Sequence, residues 1–136
     1  MPQRCSARED HEIAAFFDHC AAEGLMTGFP PGERATLDEF FRLWALEPEH
    51  RVLEPGCGSG RLTAELARVI GPAGEIYACD LSPGMLRLAR ERGLPAHVRF
   101  VCGSALAVDR PDGWFDRVIC LNVFPHFADS ARALRL

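Results

Sequence analysis

The sequence predicts an α/β fold in which a parallel sheet carries helices on both faces. The segment RVLEPGCGSGRLT at 51–63 reads as a buried strand that ends in Glu54, a turn of alternating glycines and the start of an apolar helix. A second predicted strand, Glu75–Asp80, also ends in an acid, twenty residues after Gly60. A first strand followed by a glycine turn, and a second strand that ends in a carboxylate, are typical of nucleotide-binding α/β units. In such units the carboxylate accepts hydrogen bonds from the ribose hydroxyls.

The composition indicates one globular domain and narrows the range of partners. The chain has 136 residues, of which 48% are hydrophobic and 25% are charged, as in soluble proteins with a real core. The net charge of −4 comes without a basic block, which argues against nucleic acid as a partner. No apolar run approaches the length of a membrane span, and the N-terminus does not have the pattern of a signal peptide. We therefore expect a cytoplasmic protein with no nucleic-acid or membrane partner.

The cysteines and histidines do not have the spacing of a metal site. The six cysteines include no C-x-x-C pair, and the five histidines form no pair at helical spacing. Three cysteines fall in predicted strands, where a thiol behaves as a small hydrophobe: Cys79, Cys102 and Cys120. Cys57 lies in the glycine turn and is expected to line the ligand pocket.

Two helices are predicted before the first strand. An apolar stripe at helical spacing predicts a helix over Glu9–Glu23. Thr36 and Glu39 fit a capping box and predict the start of a second helix, whose aromatic stripe should pack on the sheet. We therefore divide the chain into an N-terminal helical segment, 1–48, and a ligand-binding domain, 49–136.

The remaining elements continue the alternation of strands and helices. Ser82, followed by a proline, has the pattern of an N-cap, and Gly93 that of a helix stop. A third strand is predicted over His97–Cys102 and a fourth over Arg117–Asn122.

The residue types in the glycine turn discriminate between ligands. A dinucleotide fingerprint requires glycine at position 61, which is Arg61, and a P-loop requires lysine, which the chain lacks. The pattern is E-x-G-x-G-x-G, with Glu54 at its first position. It resembles motif I of the class I S-adenosylmethionine (SAM)-dependent methyltransferases. The mismatch at Arg61 disfavours an NAD-dependent oxidoreductase, which would bind NADH but not SAM.

This resemblance implies a Rossmann-like sheet with strand order 3-2-1-4 and SAM as cofactor. In that family the acid at the strand end helps to hold the ammonium group of SAM, and the glycines let the backbone approach it. The residues that correspond to Leu81 and Met85, which follow the ribose-binding acid, often lie against the adenine in that family. The residues expected around the cofactor are Glu54, Gly56, Cys57, Gly58, Gly60, Asp80, Leu81, Met85, Ser104, Ala105 and Asn122.

The segment after the third strand departs from the family pattern. Ser104 stands where relatives commonly have an aspartate that accepts a hydrogen bond from the adenine amino group. Its hydroxyl is shorter and neutral, so the adenine contact should be weaker or made through water.

The segment LNVFPHF after the fourth strand resembles the small-molecule branch of the family, which includes quinone-biosynthesis methyltransferases. The catalytic residues are unknown from sequence, with His126 the one candidate. It could orient or deprotonate a substrate hydroxyl, or it could be a histidine that bonds to the backbone. The family also implies that the N-terminal segment closes over the ligand, which we assign to Phe16 and Phe17.

The resemblance covers the cofactor half of the family. Its sheet has seven strands, whereas this sequence supplies four, and we expect a C-terminally incomplete methyltransferase. The fourth strand contains most of the apolar run VICLNV and would be an edge through which two copies could pair. We thus expect transfer of the methyl group of SAM to a small-molecule acceptor. The alternative is a non-catalytic SAM-binding or interaction module.

Overall fold

The structure, a computed structural model, describes residues 11, 12, 14–16, 18, 19, 29 and 31–121. Among these, the described residues from 11 to 19 have helical backbone. The elements that follow are α1 (Pro31–Trp44), β1 (Arg51–Pro55), α2 (Arg61–Leu66), β2 (Glu75–Asp80), α3 (Pro83–Glu91), β3 (Val98–Cys102), a 3-10 turn (Ala105–Ala107) and β4 (Arg117–Val118). No helix in this part of the chain is both long enough and apolar enough to span a bilayer.

The four strands form one parallel sheet in the order β3-β2-β1-β4, which confirms the predicted fold class and strand order. In the register, Pro55 of β1 lies opposite Cys79 of β2, and Asp80 lies opposite Cys102 of β3. The carboxyl ends of these three strands therefore meet at one edge of the sheet, where α/β proteins bind their ligands.

Strand β4 is shorter than predicted, because it ends at Val118 instead of Asn122. The N–H group of Ile119 still donates to the carbonyl of Leu53 at 2.9 Å. The next bond of a parallel ladder would come from the N–H group of residue 55, and Pro55 has none. Pairing with β1 therefore stops, and Asn122 lies outside the described residues.

Helix α1 begins at Pro31, five residues before the predicted start at Thr36, so the predicted capping box is wrong. Proline suits the first position of a helix, because its missing N–H group would have no partner there and its φ angle is already helical. Glu33 in the first turn adds a negative charge that interacts favourably with the helix dipole.

The core lies on both faces of the sheet, because side chains alternate along each strand. Val52 and Ile76 point into the larger cluster, which includes residues of α2 and α3, and Leu53 and Tyr77 point into a smaller one on the other face. The stripe of α1 packs against the larger cluster, as predicted, through Leu37, Phe41 and Trp44.

Helix α1 is also joined to α2 by an ion pair. The Arg34 guanidinium donates to both carboxylate oxygens of Glu65, at 2.6 and 3.0 Å. This arrangement holds α1 against the helix that follows the glycine turn.

Candidate functional site

The glycine turn after β1 is fixed to the end of β2 by backbone hydrogen bonds. The N–H groups of Gly56 and Cys57 both donate to the carbonyl of Cys79, at 2.8 and 3.0 Å, and that of Gly60 donates to the carbonyl of Cys57 at 3.1 Å. These donors are therefore used within the protein. A turn that binds pyrophosphate instead aims its N–H groups at the ligand. The geometry thus agrees with the choice of a ligand other than a dinucleotide.

Asp80 joins the glycine turn to the start of α3. Its Oδ2 accepts from the N–H of Gly58 at 2.8 Å, and its Oδ1 accepts from the N–H of Ser82 at 2.9 Å. Burial raises the pKa of this carboxyl, and the backbone N–H groups of Ser82, Gly58 and Leu81 lower it. Each carboxylate oxygen keeps a further lone pair, so Asp80 can still accept the hydroxyl groups of a ribose.

Glu54 is an acid enclosed in the protein just beneath the turn. Its residue is only 2% exposed. The hydroxyl of Thr63, in α2, donates to its Oε2 at 2.5 Å. The pKa of Glu54 is raised to about 8; burial is the main cause, the Thr63 hydrogen bond acts in the opposite direction, and the nearby Asp80 adds to the rise. A cation brought to this carboxylate would favour its ionised form.

Two glycines of the turn are required for different reasons. Gly58 has φ +57° and a Cβ atom there would meet nothing within 4 Å, so the space beside it is open. Gly60 has φ +79°, and a Cβ atom there would lie 3.1 Å from Cβ of Ala89 in α3. Gly58 therefore leaves room for a ligand, whereas Gly60 allows α3 to pack closely against the turn. Gly56, at φ +69°, also has a backbone conformation that glycine favours, and it is exposed.

The other predicted site residues occupy varied positions. Ser104 caps the 3-10 turn, where its Oγ accepts from the N–H of Leu106 at 3.1 Å. Gly103 next to it donates its N–H to the carbonyl of Asp80 at 2.9 Å, which keeps this segment beside the end of β2. Cys57 and Ala105 are buried, Met85 is completely buried, and Leu81 is half-buried. Asn122 and His126 lie outside the described residues.

Sequence reasoning missed two residues at this edge. One is Thr63, whose only signal was a polar side chain within the apolar stripe of α2. The other is Asp18, whose Oδ1 accepts from the hydroxyl of Ser82 at 2.5 Å and from the N–H of Gly84 at 2.8 Å. Nothing around Asp18 in the sequence indicates these bonds. They connect the N-terminal helix to the first turn of α3. Ser82 is the N-cap of α3, as predicted.

Four cysteines belong to the residues that the structure describes. The described cysteines, Cys57, Cys79, Cys102 and Cys120, are all free. Within the described part of the chain, no group of three or more histidine, cysteine or acidic residues is suited to hold a metal ion. Burial raises the pKa of the Cys79 thiol to about 12, so this thiol is a neutral packing group, as predicted. The same prediction is wrong for Cys102, whose residue is exposed at the end of β3, and Cys120 lies beyond the end of β4 and is half-buried.

Comparison with known sequences identifies relatives over most of the chain. The sequence profile of a family described as "Methyltransferase domain" matches residues 52–135. The ubiquinone/menaquinone biosynthesis C-methyltransferase UbiE of Pasteurella multocida is 37% identical over 90 residues, which cover 63% of this chain and 34% of that protein. UbiE of Ectopseudomonas mendocina is 32% identical over 133 residues, which cover 91% of this chain and 50% of that protein. The chain thus spans between about a third and about half of the length of these curated relatives.

Solved structures share the fold. The [4+2]-cyclase SpnF superposes with a TM-score of 0.78 at 22% identity, covering 93% of this chain and 54% of that chain. The arsenic(III) S-adenosylmethionine methyltransferase CrArsM of Chlamydomonas reinhardtii gives a TM-score of 0.57 at 30% identity, over 63% of this chain and 33% of that chain. The profile match over residues 52–135 shows that the chain belongs to the methyltransferase domain family, and its sheet order and glycine turn agree with the class I SAM-dependent methyltransferase fold.

Proposed function

We propose that this chain binds SAM at the carboxyl edge of its sheet and provides the cofactor half of an enzyme that methylates a small molecule. The observation that carries the proposal is the pair of carboxylates, Glu54 and Asp80, on either side of a glycine turn with internally bonded N–H groups. The relatives named as C-methyltransferases of quinone biosynthesis support a small-molecule acceptor.

The residues of the chain would act by binding and alignment. SAM supplies a methyl group that is already activated by the positive sulfur, so transfer requires chiefly orientation and the exclusion of water. In our proposal Glu54 receives the ammonium group and Asp80 the ribose hydroxyls. The open space beside Gly58 admits the ligand to the backbone.

Calorimetric titration of the chain with S-adenosylhomocysteine, and with NADH as the control, tests this proposal. We expect a dissociation constant on the order of micromolar for S-adenosylhomocysteine and no heat of binding for NADH. A folded chain that binds NADH but not S-adenosylhomocysteine would contradict the proposal.

The two glycines of the turn should respond differently to alanine. Gly58→Ala introduces left-handed strain of about 1 kcal/mol but no clash, and its methyl group enters the open space, so the affinity for S-adenosylhomocysteine should fall by about tenfold. Gly60→Ala adds contact with Ala89 to the same strain and should lower the free energy of unfolding by about 2–3 kcal/mol. Denaturant unfolding and calorimetry on both variants measure the difference. Equal losses of stability would contradict the separate roles.

We further propose that residues 1–48 form a cap on the domain 49–136 and that Asp18 attaches it. Phe16 of this segment is 59% exposed, and Phe17 lies outside the described residues. Asp18→Ala removes two bonds to the first turn of α3 and should weaken binding of S-adenosylhomocysteine severalfold, because that turn also contacts Asp80. Asp112→Ala, at an exposed loop position outside this segment, is the control. An unchanged affinity in the Asp18 variant would refute the attachment.

The edge strand supports a homodimer in which β4 of one copy pairs with β4 of another. Its outer side pairs with no strand of the described residues, and Val118 is 50% exposed. Light scattering should give twice the mass of the chain, and Val118→Glu should halve it. A wild-type monomer would rule this interface out.

We place the protein in the cytoplasm, with a small molecule rather than nucleic acid as its partner, in line with the net charge of −4.

A further inference from the structure

The Glu54 carboxylate depends on one neighbour for its orientation. Glu54 and Thr63 are 2% and 0% exposed, so neither side chain can form many hydrogen bonds with water. The Thr63 hydroxyl donates to Oε2 of Glu54 at 2.5 Å. No other hydrogen bond from the described residues reaches this carboxylate, which leaves Oε1 as the oxygen that a ligand can use.

We propose that Thr63 is a positioning residue for cofactor binding, because its hydroxyl holds Oε2 of Glu54 and thereby presents Oε1 to the ammonium group of the ligand. The inference rests on the proposed function and deepens it. A buried carboxylate is costly unless it is hydrogen-bonded and paired. The Thr63 hydroxyl supplies the first of these conditions, and the ligand supplies the second.

The proposal implies that ligand affinity depends on pH. The ammonium group favours ionised Glu54, whose pKa is about 8 in the free chain, so affinity should rise with pH and level off near that value. Loss of the Thr63 hydrogen bond, which lowers this pKa, should move the rise to higher pH. The effect therefore has a direction that a packing defect would not reproduce.

Other titratable groups interact with Glu54 from the surrounding elements. They are Asp80 at the end of β2, Cys57 in the turn, Cys79 in β2 and Cys120 beyond β4. Burial raises the pKa of all three thiols above the ordinary value, so they stay neutral near neutral pH. Burial also raises the pKa of Asp80, which accepts from Gly58 and Ser82 and not from Thr63. A shift caused by changing Thr63 therefore reports on Glu54.

The test compares Thr63→Val, which keeps the shape and removes the hydroxyl, with Thr63→Ser, which keeps the hydroxyl. S-adenosylhomocysteine is titrated into the chain and each variant from about pH 6 to about pH 8.5, a range that spans the Glu54 transition. We expect the valine variant to bind about tenfold more weakly at neutral pH, with its profile moved to higher pH, and the serine variant to match the wild type. 5′-Methylthioadenosine, which lacks the ammonium group, should bind the wild type and the valine variant alike.

Each outcome decides the inference. An unchanged profile for Thr63→Val, or an equal loss in both variants at every pH, would overturn it while leaving the proposed function intact. Absence of binding to the folded wild type would overturn the proposed function and the inference with it. If the valine variant does not fold, Glu54→Gln provides a second test, because a neutral amide at this position should abolish the pH dependence of the affinity. A pH dependence that persists in Glu54→Gln would overturn the role of Glu54 and of Thr63.

Discussion

Replacement of Asp80 by alanine should reduce the affinity for S-adenosylhomocysteine by roughly ten- to one-hundredfold, because the two charge-assisted hydrogen bonds that we propose between Asp80 and the ribose would be lost. The structure adds a second reason. The same carboxylate holds the N–H groups of Gly58 and Ser82, so its removal also loosens the turn and the start of α3. Calorimetry with S-adenosylhomocysteine measures the effect.

Two further variants separate these contributions. Asp80→Asn keeps one carbonyl oxygen but loses the charge, and it should fall between the wild type and the alanine variant. Asp112→Ala, at an exposed loop position, should bind as the wild type does. If a folded Asp80→Ala chain retains full affinity, Asp80 does not belong to the cofactor site.

The second large effect concerns stability and lies away from the site. Gly74 ends the turn between α2 and β2, where a Cβ atom would lie 2.5 Å from the carbonyl oxygen of His50 and 2.7 Å from that of Pro48. Both obstacles are backbone atoms that cannot rotate away. Gly74→Ala should therefore cost about 3 kcal/mol in the free energy of unfolding and lower the Tm by about 10 °C.

Gly71→Ala is the matched control for this prediction, since it changes the same turn. A Cβ atom at Gly71 would meet Pro48 at 3.7 and 3.8 Å, which is ordinary contact. The expected change in unfolding free energy is within about 0.5 kcal/mol. Similar losses in thermal melts of the two variants would show that backbone crowding at Gly74 is not the cause.

The sequence by itself determined the fold class, the strand order through the family resemblance, and the acids at the strand ends. These features are local: strands and helices have different apolar periods, and a glycine turn and the Ser82 cap depend on adjacent residues. Pro55, which ends the pairing of β1 with β4, can be read in the sequence. Its effect on β4 became evident only from the register, which places its missing N–H group opposite Ile119.

Only the tertiary structure decided how the site is built. The separate roles of Gly58 and Gly60 depend on where α3 packs, and the raised pKa of Glu54 depends on burial by several elements. Thr63 and Asp18 form hydrogen bonds with residues 9 and 64 positions away in the chain. Such contacts are set by the packing of whole elements, because the periodicity of a single element fixes which face is buried but not which polar atoms meet across it.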